Sequence, residues 1–174
     1  MAVALYDLSV ASYLQTLAGV AGVLDRGAAH CRDNNIDPEE IVETRLYGDM
    51  LPFRFQIISV AHHSLGAIEG VKKGAFAPPT ERRPLNYAQL QELVADTRAA
   101  LGKLDAAEVN ALEGGDVTFA IGDFKMPFTA ENFLMSFSLP NFYFHAATAY
   151  DILRSKGVPL GKRDFMGAVR MKAA

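Results

Sequence analysis

The residues of this chain whose types and spacing could do chemistry are two histidines in uncharged surroundings. His145 lies four residues after Asn141 and three before Thr148, so at 3.6 residues per turn the three share one helical face. His63 belongs to a second stripe of the same period, Gln56, Ser59, His63, Gly66 and Gly70. A solvated helix face normally carries Lys and Glu, and neither stripe holds a charge. Brought together on facing helices, these small polar residues would form an interior site. Neutral imidazole is a common metal ligand and an equally serviceable buried donor and acceptor, so the site could take a divalent ion or simply hydrogen-bond inside the fold.

Other reactive side chains are weaker candidates. His62 sits at the edge of an apolar arc and ranks second for any site. His30 adjoins Cys31, but neighbours on a helix point about 100° apart, which argues against a Cys-His pair. Asp49 reads as a turn residue that complements a helix dipole. Tyr143 and Tyr150 share a side away from His145, as core or dimer packing would require. Lys162, Arg163 and Asp164 read as a solvated patch. There is no GxSxG elbow, GxGxxG turn or GxxxxGK[ST] loop, so serine-hydrolase, dinucleotide and nucleoside-triphosphate chemistry lack their carrier motifs.

Helices must position the two stripes. From about Ser9 to Asn34, Val10, Leu14, Leu17, Ala21, Leu24, Ala28 and Cys31 alternate at steps of four and three, the pattern of a long amphipathic helix. Asp37-Pro38-Glu39-Glu40 supplies an N-cap, a proline at the first helical position and a glutamate near the cap, starting a short helix to about Arg45. A turn at Tyr47 to Met50 leads into a second long helix from about Pro52 to Lys73. Its apolar arc contains Ile57, Ile58, Val60, Ala61, Leu65, Ile68 and Val71, opposite the Gln56 to Gly70 stripe. Gly74 to Pro84 reads as an ordered surface connection. Asn86 caps a third helix reaching about Leu104, and Asp105 with Glu108 caps a short one. Alternation in 116–121 and 124–128 around Gly122-Asp123 predicts a two-stranded hairpin. Thr129 then caps a further helix, which Pro140 should kink or restart. The last long helix carries Asn141 and His145, ends at Gly157, and is followed by a tail that folds back.

Composition bounds the answer. At 174 residues, half of them hydrophobic, a single domain spanning 1–174 can bury roughly 70% of the surface its unfolded chain exposes. Four long helices with short extras and a hairpin insert predict an all-α four-helix bundle, in which sites form between facing helices. Seventeen basic against twenty acidic residues give a net charge of -3, which asks for neither nucleic acid nor an anionic membrane as partner. No stretch approaches the roughly 20 apolar residues of a membrane span, and lone Cys31 reads as core in a reducing compartment. The expected location is cytoplasmic.

NFYFHAATAYDILRSKGVPLGKRDFMG at 141–167, with RLYGDMLPFRFQ at 45–56 and the His63 to Gly66 turn, resembles an uncharacterised bacterial family grouped with the DinB/YfiT-like metalloenzymes. The likeness runs from about Tyr6 to Gly167. It implies a DinB/YfiT-like four-helix bundle, a homodimer, and a divalent metal (zinc, nickel or manganese) held by one histidine on the second helix and an HxxxH pair on the last. Carried over by position, these ligands fall on His63, Asn141 and His145. The chain thus has NxxxH where metal-binding relatives have HxxxH, and an amide oxygen is a weaker ligand than imidazole. Two functions are implied. One is a dimer that is non-catalytic or binds a small ligand, with a degenerate metal site. The other is a metal-dependent enzyme, a thiol-dependent transferase or hydrolase, using His63 and His145.

Overall fold

The computed structural model describes residues 3–79 and 84–172; residues 80–83 of the expected surface connection lie outside the described residues. The chain opens with α1 (Leu5–Leu8) and the long α2 (Val10–Asp33). Of the expected stripe on α2, Val10, Leu17, Leu24 and Cys31 are fully buried, whereas Leu14, Ala21 and Ala28 are half-buried. Tyr13, Val20, Val23 and Gly27 widen the interior face beyond that seam. By length and composition, Leu5–Asp33 would also suffice to cross a membrane, contrary to expectation; half of its apolar window is buried inside the fold, as a core helix requires.

Asp37 caps α3 (Pro38–Val42) by accepting from the Glu39 amide. This helix ends three residues earlier than the sequence predicts. The second long helix runs from α4 (Phe53–Ala61) through a π-helical turn, His62–Gly66, into α5 (Ala67–Lys73). Its polar stripe is interior: Gln56 is 2% exposed, Ser59 1% and His63 8%. Asn86 and Gln89 form a reciprocal capping box at the start of α6 (Tyr87–Leu101), and Asp105 caps α7 (Ala106–Asn110).

Strands β2 (Asp116–Ile121) and β3 (Phe124–Thr129) form the expected antiparallel hairpin. The sheet nevertheless has three strands, not two. Gly74, at φ +69°, ends α5 in the left-handed region and turns the chain so that β1 (Ala75–Phe76) runs parallel beside β2. The fold is therefore mostly helical with a small mixed sheet. After Thr129 caps α8 (Ala130–Phe133), a second π-helical turn, Leu134–Ser138, leads into α9 (Leu139–Ser155), with Pro140 in its first turn.

Helix α4 packs along α9 and also against α6, while α2 packs against α6 and α9. The tail folds back: α10 (Lys162–Met166) lies on α2. Asp164 is not a free surface charge, because it pairs with Arg26 on α2 at 3.1 Å and accepts from the Gly161 amide at 2.7 Å.

Candidate functional site

The helices that bear His63 and His145 each carry a π-helical turn. Such a turn inserts one residue into the ladder and shifts the register of the residues beyond it, and it recurs at functional sites. In the first turn, His63 is aimed into the interior beside Phe76 and Phe137, with ring centroids 5.5 and 5.9 Å away. His145 is seven residues beyond Ser138, which ends the second turn, and is half-buried between Phe55 and Phe144 at 5.8 and 5.3 Å. The two imidazoles face one another, with centroids 5.9 Å apart and planes inclined by only 18°. The two uncharged stripes therefore do meet.

A third residue sets the chemistry of His145. Gln56, one turn into α4, donates through its amide nitrogen to the Leu51 carbonyl at 2.8 Å. That fixes its amide oxygen toward His145 Nδ1, 2.7 Å away. An amide oxygen only accepts, so Nδ1 carries the proton and donates, leaving an in-plane lone pair on Nε2. Burial lowers the His145 pKa to about 4, so the ring is neutral at ordinary pH. Burial likewise depresses His63, to about 3, with the neighbouring His62 and His145 adding to the effect. His63 Nδ1 is buried and has no hydrogen-bond partner among the described residues, an arrangement that normally costs free energy.

The donors can be tested against a divalent ion. Zinc bonds imidazole nitrogen at about 2.0–2.1 Å, which places two imidazole centroids sharing one ion roughly 5–6 Å apart. The observed 5.9 Å lies in that range. The third expected donor is poorer: Asn141 is half-buried and donates its amide nitrogen to the Phe137 carbonyl at 2.7 Å, one turn back along its own helix. Among the described residues, no three His, Cys, Asp or Glu side chains gather. The two imidazoles thus lack, among the described residues, the third strong ligand of a catalytic zinc centre.

Of the remaining candidates, His62 adjoins the pair, its ring centroid 5.4 Å from that of His63. It donates through Nε2 to the Ala77 carbonyl, 2.8 Å away, and stacks on Phe76 at 4.5 Å. Cys31 is buried with its thiol pushed up by desolvation, while His30 contacts Asn34 at 3.3 Å. Asp49 lies in an exposed turn. Tyr150 packs on Phe165, and Tyr143 is exposed beside Phe142. Sequence reasoning missed the role of Gln56, although a signal existed. It lies seven residues, two turns, before His63 on the same uncharged stripe.

A family model described as a domain of unknown function, DUF1993, matches residues 5–166. No curated protein matches the chain. The fold is similar to the crystal structure of a DinB family member protein from Shewanella denitrificans at 1.83 Å resolution, with 24% identity, a TM-score of 0.83, and 98% of this chain and 96% of that chain covered.

Proposed function

We propose, for a chain that belongs to the DUF1993 family and shares its fold with a DinB family member, a small-ligand-binding four-helix-bundle protein with a reduced metal site. In this reading α2, α4, α6 and α9 are the four helices, and His63, His145 and Asn141 hold a divalent ion weakly. The observation that carries it is the closeness of two neutral imidazoles, their ring centroids 5.9 Å apart, with His63 Nδ1 lacking a hydrogen-bond partner among the described residues. Two neutral imidazoles offer two good donors, so a ligand with its own nitrogen, oxygen or sulfur donor would complete the coordination. The aromatic wall of Phe55 and Phe137 suits the apolar part of such a ligand. A homodimer is part of the proposal: Tyr143 and Phe144, 40% and 57% exposed on α9, are aromatic side chains of the kind interfaces bury.

The alternative is a metal-dependent transferase or hydrolase using the same two histidines, favoured by the orphaned His63 nitrogen. A bound ion would then supply Lewis acidity, while Gln56 would hold His145 in the ligating tautomer. Elemental mass spectrometry and calorimetric titration of tag-free protein with zinc, nickel and manganese test the common premise, beside a His63→Ala, His145→Ala variant. Uptake by the parent that the variant loses is the expected result. Equal uptake by both proteins, or none by either, overturns the metal site. Sedimentation velocity tests the dimer.

A further inference from the structure

Ser138 uses its hydroxyl unlike Ser64, Thr97 and Thr148, each of which donates to the carbonyl one turn back along its own helical segment, the usual local arrangement. Ser138 instead reaches across to the His63 carbonyl, at 2.7 Å. A serine hydroxyl has one proton, so the second contact, 2.8 Å from Tyr13 Oη, must be donated by the tyrosine. The result is a directed chain from Tyr13 on α2, through Ser138 in the second π-helical turn, to the main chain of His63 in the first. Tyr13 and Ser138 are both completely buried. Desolvation holds the Tyr13 phenol far above its ordinary pKa, so it remains a donor at every working pH.

Among the described residues, His63 Nδ1 has no hydrogen-bond partner, so no side chain there aims the ring through that atom. Its direction is left to the main chain and to packing against Phe76 and Phe137. The hydroxyl chain ties that main chain at the histidine itself and couples the two π-helical turns that bring His63 and His145 together.

We propose that Tyr13 and Ser138 are positioning residues for His63, clamping its carbonyl so that the imidazole stays turned into the site opposite His145. The ligating role of His63 in this proposal rests on the reading given above, whereas the clamp itself does not. Groups that orient a ligand from outside the coordination shell change metal affinity by about 10- to 100-fold when removed.

The test compares the parent with Ser138→Ala, Ser138→Thr and Tyr13→Phe, using nitrogen-15 spectra of labelled imidazoles across pH and calorimetric nickel titration. In Ser138→Ala the His63 ring resonances and its ring contacts with Phe76 and Phe137 are expected to shift, and nickel affinity to fall by at least about tenfold. The His145 tautomer should stay as it is, because Gln56 is untouched. Ser138→Thr keeps the hydroxyl and restores both readouts. Unmoved His63 ring resonances and ring contacts in a folded Ser138→Ala protein, even one less stable, overturn the clamp. If the parent binds no nickel, the metal reading fails, and the imidazole spectra still decide the clamp. Should Ser138→Ala not fold, Tyr13→Phe decides instead: a displaced His63 resonance supports the clamp, and an unmoved one removes it.

Discussion

His145 Nδ1 donates to Gln56 Oε1 across 2.7 Å, and the Gln56 amide is itself oriented by the Leu51 carbonyl. This contact selects one tautomer of a neutral, half-buried histidine and leaves the lone pair on Nε2. In Gln56→Leu, His145 loses its acceptor and the Leu51 carbonyl loses its donor. A cost of about 1–3 kcal/mol is expected from the unmet groups, readable as a lower urea midpoint. The tautomer should shift toward Nε2-H, which imidazole nitrogen-15 shifts report; an unaltered tautomer would contradict the role given to Gln56.

Asn141→His restores HxxxH on α9. An added imidazole supplies the third strong ligand that the site lacks, and zinc affinity should rise by two orders of magnitude or more, on the order of what a good nitrogen ligand contributes over an amide oxygen. Competition against a chromogenic chelator measures it. Unchanged affinity would mean that His63 and His145 do not share one coordination point.

Acid should weaken the fold in a defined window. The folded protein holds His63 at about 3 and His145 at about 4, against about 6.5 in the unfolded chain. Between those values the unfolded chain binds protons that the folded one refuses, so stability rises with pH there. The contribution is complete above about pH 6.5 and is lost as pH falls toward 4 and then 3. For His63, at about 1.4 kcal/mol per unit, it amounts to a few kcal/mol; half-buried His145 adds less. Denaturant melts from pH 7.5 to 4 should therefore be flatter for His63→Leu than for the parent, and parallel profiles would refute the assignment.

The clip formed by α10 depends on a missing side chain. A Cβ at Gly19 would collide with the Phe165 main chain, backbone that cannot give way as a side-chain tip would. Gly19→Ala should release α10 from α2, uncovering Phe165 and Tyr150. Limited proteolysis is expected to cut between α9 and α10 in the variant long before it does so in the parent.

Gly70→Ala tests the third strand. Its Cβ would lie 2.9 Å from Phe76 Cδ2 and 3.2 Å from the Ala75 carbonyl, too close for β1 to keep its place beside β2. An overpacking cost of about 1–3 kcal/mol is expected, with loss of amide protection at Thr118, which donates to the Gly74 carbonyl at 3.0 Å.

Periodicity and end signals by themselves determined the long helices, the capped short helices after Asp37 and Asp105, the hairpin and the two uncharged stripes. These rest on local physics: Asp37, Asn86, Asp105 and Thr129 cap the helices they precede, Gly157 adopts the left-handed conformation at φ +88°, and apolar spacing marks the buried faces. The sequence also placed His63 and His145 on faces without charge, which is why they could be paired before their distance was known. What only the tertiary structure decided depends on groups far apart in the chain. A two-residue strand such as β1 has no period to detect and exists because β2 offers it an edge. The π-helical turns depart from the 3.6-residue wheel, and the His63 carbonyl finds its donor 75 residues away. Gln56 becomes the orienting partner of His145 across 89 residues, and Asp164 is paired because Arg26 waits on α2. Side-chain type and spacing say which groups want partners; which partner each receives is settled only when the helices pack.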